Sequence, residues 1–252
     1  MVSDNPLFPS PVKRWYNKAQ PAGDPGLPTL SQKGRSILVT SGDNTSIGGE
    51  TACFFARAGA TRIGLLERHE GPLLENKAAI EKESAGMFVF IQSTDMTDEA
   101  ADGKIDTLIH TAGAIGSKEN FAYVDGCEFL EGITENIEGS LCVAKAFLRT
   151  AAPGGYVIAI NSWVYRLWDN VLLARPNLIG GADSFKDVKT DNVTLPASFN
   201  LWLSTPEARF LKGKFWWCNC DIDELKSRAK EIESGRLLNI DLVGWPFYSF
   251  AK

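Results

Sequence analysis

From residue 34 onward the chain alternates between two hydrophobic rhythms. Short unbroken apolar runs, of the kind a strand covered on both faces requires, are separated by stretches where apolar residues recur every three to four positions. Runs at 36–41 (SILVTS), 62–66, 87–92, 107–110 and 156–160 predict five strands, with a short sixth at 171–174. Helices are predicted over 46–58, where Ile47, Ala52, Phe55 and Ala58 share a face, and over 72–83 and 128–148. The last has the strongest pattern: Phe129, Ile133, Ile137 and Leu141 repeat every four residues, with Leu130, Ala144 and Leu148 beside them. Further on, 196–203 and 206–211 read as helical and 215–218 as a late strand. Asp221-Ile222-Asp223-Glu224 opens a last helix that Gly235 closes. Strands alternating with helices in this way predict an α/β fold: a Rossmann-type doubly wound parallel sheet with helices on both faces.

Residues 1–33 break the rhythm. Pro6, Pro9, Pro11, Pro21, Pro25 and Pro28 mark an irregular arm laid over the domain and anchored by Trp15 and Tyr16. With no repeat and no later composition shift, 34–252 is expected to be one domain. A net charge of −5 argues against a nucleic-acid partner, and no apolar run reaches the length of a membrane span. Nor is there a continuous apolar stretch of signal-peptide type near the N-terminus, so a cytoplasmic protein is expected. Cys53, Cys127, Cys142, Cys218 and Cys220 are odd in number and lie mostly in apolar segments; they read as reduced structural thiols. Cys218 and Cys220 would share one face of a strand over 214–220. With only His69 and His110 to join them, no metal site is expected.

The segment Gly42-Asp43-Asn44-Thr45-Ser46-Ile47-Gly48 joins the first strand to the first helix. A turn there gathers backbone N–H groups at a helix N-terminus, where they and the helix dipole favour a diphosphate. Gly42 would make the turn and Gly48 would let helix and strand pack closely. Glu67 and Arg68 end the second strand, 19 and 20 residues beyond Gly48. An acidic side chain there suits the ribose hydroxyls of NAD, an arginine the extra phosphate of NADP, so the residues leave NAD or NADP undecided.

These residues, with others at matching spacings, resemble the short-chain dehydrogenase/reductase family. That family carries Gly-x-x-x-Gly-x-Gly after its first strand, an Asp after the third and Asn-Ala-Gly after the fourth. Here stand Gly42-x-x-x-Ser46-Ile47-Gly48, then Asp95 with Met96 beside it, then Thr111-Ala112-Gly113. Asn136 matches the family's helix asparagine, Ser162 its catalytic serine, and Pro176 its Pro-Gly turn. The segment Pro206-Glu207-Ala208-Arg209-Phe210-Leu211-Lys212-Gly213-Lys214 resembles the family's stretch before its last strand. The resemblance runs from Gly34 to about Asp221, with two gaps. It implies an NAD(P)-dependent oxidoreductase that moves a hydride to or from a small apolar carbonyl or alcohol, with Ser162 polarising the oxygen. It also implies a homo-oligomer paired through the long helix near Glu128. Two departures fall in the nucleotide half. Ser46 replaces the middle glycine, where a side chain would stand in the path of the pyrophosphate, and Thr111 replaces the asparagine.

The catalytic half departs further. The family places a Tyr about a dozen residues after the Ser and a Lys four beyond it, whose charge lowers a phenol pKa otherwise near 10. After Ser162 come Trp163-Val164-Tyr165-Arg166-Leu167-Trp168-Asp169, and position 175 is Arg175. Tyr165 has Asp169 four positions on. The only Tyr-x-x-x-Lys in the chain is Tyr248 to Lys252 at its end, and neither Lys186 nor Lys189 has supporting spacing. A parallel crossover needs a dozen or more residues. Only 161–170 separate the presumed fifth and sixth strands, and the 93–106 crossover is also short. Shortened crossovers would leave apolar faces uncovered, at roughly 25 cal/mol per Å² of lost burial. Trp163, Trp168, Trp216 and Trp217 lie near these gaps; a plug is favoured over the lining of an enlarged pocket. The expected function is therefore an oxidoreductase impaired in its usual catalysis. Its alternatives are an isomerase, dehydratase or cyclase on the same scaffold, or an inactive nucleotide- or partner-binding relative.

Overall fold

A computed structural model describes residues 2–3, 10–84, 86–93, 104–113, 123–160 and 191–239. Its centre is a parallel five-stranded sheet. In chain order the strands are β3 (Ser36–Thr40), β4 (Arg62–Glu67), β5 (Phe88–Ser93), β6 (Ile105–His110) and β7 (Ala151–Ala159); β1 (Val2–Ser3) and β2 (Trp15–Tyr16) form a separate small hairpin. The spatial order is β5-β4-β3-β6-β7. The chain winds outward from β3 in one direction and then restarts at β6 on the other side. This reversal opens a crevice at the carboxyl ends of β3 and β6, where doubly wound sheets take their ligands. The sheet and its parallel sense match the sequence expectation. β7 begins earlier than expected because a register shift between Ile105 and Thr107 admits 151–155, with Gly154 at φ +77°.

Strand register separates the two faces. Ile91, Leu65, Val39, Ile109 and Ile158 align across one face, all but Ile91 fully buried. Helix α1 (Ile47–Arg57), helix α2 (Glu70–Glu83) and helix α4 (Thr194–Leu203) cover it, with Phe55, Leu73, Phe199 and Trp202 in the core. Phe90, Gly64, Leu38, Leu108 and Val157 align across the other face. There, among the described residues, only helix α3 (Gly126–Thr150) packs, through Val143 and Phe147 onto Leu108 and Ile105. Leu108 is 1% exposed, but Phe88 is 62% and Val157 56% exposed. Phe88 lies on β5 and Val157 on β7.

Helix α3 covers the predicted 128–148 span. Of its apolar positions, Ile133, Ile137 and Leu141, with Leu130 and Leu148 beside them, are exposed, while Phe129 and Ala144 are half-buried. The row that meets the sheet is Gly132, Asn136, Ser140, Val143 and Phe147. Its first half is small or polar because it faces the crevice rather than the core.

One correction concerns 214–220, which forms no strand. Only an isolated bridge joins Cys220 to Trp15, so Cys218 and Cys220 do not share a strand face. Residues 206–211 form a 3₁₀ helix rather than an α-helix, and the last helix divides into Ile222–Ser227 and Ala229–Ser234. Asp221 caps the first of these by accepting the Glu224 N–H at 2.8 Å. Trp216 and Trp217 pack partly buried against the main core. The predicted strand at 171–174, Trp163, Trp168 and Tyr248–Lys252 lie outside the described residues.

The N-terminal arm is tied down as Trp15 and Tyr16 suggest. Trp15 is buried, and Tyr16 exchanges hydrogen bonds with Asn219. Gln20 is the arm's main clamp: its amide donates to the carbonyls of Cys218 and Cys220 and accepts the Ile222 N–H. No disulfide involves the described cysteines. Burial pushes the Cys53 and Cys220 thiols up to about 11 and Cys218 to about 12, so all three are poor nucleophiles at neutral pH.

Candidate dinucleotide site

The crevice floor is built from two strand ends and one helix start. Ser41, just after β3, sits at φ +50°, in the left-handed region that non-glycine residues seldom adopt. Its carbonyl accepts the Ser46 hydroxyl at 2.5 Å, which fixes that turn. Ser46 is the N-cap of α1, and its Oγ accepts the Gly49 N–H at 3.0 Å. The substitution that the sequence marked as an obstruction therefore folds into the helix cap. It takes one N–H from the helix start. The Ile47 and Gly48 N–H groups, at the first two helical positions, lack intrahelical acceptors by geometry and remain to meet an anion.

The glycines are enforced by backbone. A Cβ on Gly48 would lie 2.3 Å from the Ser41 carbonyl oxygen, 2.7 Å from that of Thr40 and 2.6 Å from Thr111 Oγ1. Gly48 is thus the contact between α1 and both strand ends. A Cβ on Gly42 would meet Leu65 Cβ at 2.9 Å. Gly49, which the motif did not single out, is tighter still: its Cβ would fall 1.7 Å from the Asp43 carbonyl oxygen. The Gly48-Gly49 pair was the available sequence signal. Asn76 was also missed. This buried α2 residue donates to the Gly42 carbonyl at 2.7 Å, while Asn44 donates to Glu75 at 2.8 Å. Adjacent α2 residues thus clamp both ends of the Gly42–Asn44 turn.

Thr111, Ala112 and Gly113 form the crevice wall after β6. The Thr111 hydroxyl donates inward to the Thr40 carbonyl and so is turned away from the crevice. Gly113 lies against Asn136, whose Oδ1 would be 3.4 Å from a Cβ there. Asn136 also donates to Gly132 O within α3. At the far rim, Glu67 ends β4 half-buried and accepts the Arg68 N–H at 2.9 Å, while Arg68 is exposed. The structure therefore brings Gly42, Ser46, Ile47, Gly48, Thr111, Ala112, Gly113 and Asn136 around one crevice, with Glu67 and Arg68 at the end of the adjoining strand. Asp95, Met96, Ser162 and Pro176 lie outside the described residues. Among the described residues no group of three or more His, Cys, Asp or Glu is placed to hold a metal, and no helix is long and apolar enough to cross a membrane.

The family model described as short chain dehydrogenase matches residues 35–166, more than half of the chain. The chain belongs to this family. A short chain dehydrogenase/reductase of Claviceps purpurea is 26% identical, the alignment covering 83% of this chain and 87% of that protein. One of Aspergillus novofumigatus is 24% identical over 84% and 89% of the two chains. Among solved structures, a short-chain type dehydrogenase/reductase from Mycobacterium ulcerans superposes with a TM-score of 0.57 at 20% identity, covering 71% of this chain and 86% of that one. An Escherichia coli CFT073 protein described as a short chain dehydrogenase, solved with NADPH, gives a TM-score of 0.54 at 21% identity, over 72% and 95%. These likenesses agree with the Rossmann-type sheet.

Proposed function

We propose that this short chain dehydrogenase binds NAD or NADP in the β3–β6 crevice and is impaired in the family's usual proton transfer. The observation that carries the first half is the Gly48 contact: a helix N-terminus is pressed against two strand ends so closely that only glycine fits. The Ile47 and Gly48 N–H groups would meet the diphosphate, Glu67 the adenosine ribose, and the 111–113 wall would flank the remaining half of the dinucleotide. When bound, the nicotinamide would exchange a hydride with a small apolar carbonyl or alcohol. Asn136 and Ser162 are the polar groups assigned to the reacting end.

The second half rests on sequence. No Tyr-x-x-x-Lys follows Ser162 at the expected distance. The alignment with the Claviceps protein runs over 254 positions yet uses only 83% of this chain, so several dozen positions of the relative face a gap here. Gaps of that total size are large enough to include a crossover helix, and the bare Phe88, Phe90 and Val157 agree with lost cover on one face of the sheet. Fluorescence titration with NADH and NADPH tests the site, and a broad carbonyl panel tests catalysis. Saturable binding with turnover far below an intact relative is expected. No binding at millimolar cofactor, or turnover at ordinary rates, contradicts the proposal.

The exposed α3 stripe supports a homo-oligomer. Glu128, Glu131, Glu135 and Glu138 occupy the first half of the helix, and Lys145 and Arg149 the second. Antiparallel pairing with a second copy would oppose these charges while burying Ile137 and Leu141. Sedimentation velocity should show a dimer that Ile137→Glu converts to monomer. A monomeric parent protein would refute the pairing.

A further inference from the structure

We propose that Thr40 and His110 are positioning residues for the 111–113 wall, acting through one hydrogen-bonded chain, Thr40–His110–Ser140, that holds the His110 ring neutral with its proton on Nε2. The inference rests on the crevice being the dinucleotide site.

Proton accounting carries it. Thr40 Oγ1 accepts the N–H groups of Thr111 and Ala112, each at 3.0 Å. A hydroxyl has two acceptor positions and one proton. With both acceptor positions taken, that proton has one remaining neighbour among the described residues, His110 Nδ1, at 3.1 Å. Nδ1 must therefore be the bare nitrogen and Nε2 the protonated one, donating to Ser140 Oγ at 3.0 Å. Ser140 is one helical turn from Asn136, and Asn136 lies against Gly113. The chain thus starts at the end of β3, passes through β6 and ends on the α3 row that closes the crevice. It turns both wall N–H groups inward, sets the path of 111–113, and fixes α3 at its distance from that wall.

An imidazolium does not fit this arrangement. A proton on Nδ1 would point at an oxygen whose acceptor positions are both occupied, so Thr40 would have to release Thr111 or Ala112. Among the described residues nothing is placed to hold the charge: β3 presents Thr40, β7 presents Ala159, and α3 presents Ser140 and Asn136, while Glu135, Glu138 and Lys145 of α3 are exposed. Burial alone moves the His110 pKa, and it moves it down from 6.5. Because the folded value is depressed, its contribution to stability is complete above the unfolded value near 6.5 and is lost as pH falls toward the folded one. The wall, and dinucleotide affinity with it, should weaken over that acidic interval.

The test uses the full-length chain labelled with ¹⁵N-histidine. There are only two histidines, so His69→Gln assigns the spectrum. At pH 7 the His110 ring should show a protonated Nε2 and a bare Nδ1. Thr40→Val should redistribute the tautomers and weaken NADP binding, followed by calorimetry, roughly tenfold; Thr40→Ser should restore both. A parent His110 with Nδ1 protonated at pH 7 overturns the inference, and this result stands even if Thr40→Val does not fold. Binding and ring spectrum both unmoved in Thr40→Val overturn it as well. A parent protein that shows the expected tautomer but binds no dinucleotide overturns the reading of the crevice, and the positioning role falls with it.

Discussion

Gly48→Ala should abolish measurable NADPH binding and destabilise the fold by about 1–3 kcal/mol, the range for overpacking a dense site. The added methyl would meet two backbone carbonyl oxygens, neither of which can rotate away. Relief requires α1 to back off from β3 and β6, which moves the Ile47 and Gly48 N–H groups out of line with the crevice. Gly71→Ala provides the control: a Cβ there has open space around it, and the exchange removes a helical glycine. It should leave binding unchanged and hold or raise stability by up to about 1 kcal/mol. Thermal unfolding and cofactor titration of the two variants read the difference. If Gly48→Ala binds NADPH as the parent does, the close contact does not serve the site.

Gln20→Ala should cost about 2–4 kcal/mol and release the arm from the C-terminal segment. One buried side chain satisfies three backbone groups there: the carbonyls of Cys218 and Cys220 at 2.9 and 2.8 Å and the Ile222 N–H at 3.1 Å. Leaving a buried polar group unpaired costs about 1–3 kcal/mol, offset in part by water entering a loosened arm. The readout is chemical. Cys218 and Cys220 titrate at about 12 and about 11 because they are buried, so a thiol reagent at pH 8 should modify them slowly in the parent protein and many times faster in the variant. Equal rates would show that Gln20 does not hold the arm in place.

Much of the fold was legible in sequence because buried parallel strands write continuous apolar runs. Ser36–Thr40, Arg62–Glu67, Phe88–Ser93 and Ile105–His110 all fell within two residues of expectation. The failures have physical causes. The Trp216-Trp217-Cys218 run looks like a strand, but its apolar residues pack against the core from an extended loop that finds no sheet partner. The α3 stripe was conspicuous because it is continuous, whereas the face that meets the sheet interleaves Gly132, Asn136 and Ser140 with Val143 and Phe147. At the site, the glycine motif showed where the crevice would be. It did not show the residues that support it. Asn76 and Thr40 carry no local signature, since each acts on backbone groups tens of residues away in sequence. Ser46 shows the reverse case: its departure from the motif looked costly, and the fold uses it as a helix cap.

The central claim is that a dinucleotide lies in the crevice between the ends of β3 and β6. Hydrogen–deuterium exchange with and without saturating NADPH addresses it most directly. Protection should concentrate in 41–50 and 110–114, with a smaller effect at 66–69, while the arm and the outer face of α3 exchange unchanged. An exchange pattern that NADPH leaves unaltered across 41–50, or protection confined to other segments, would contradict the account.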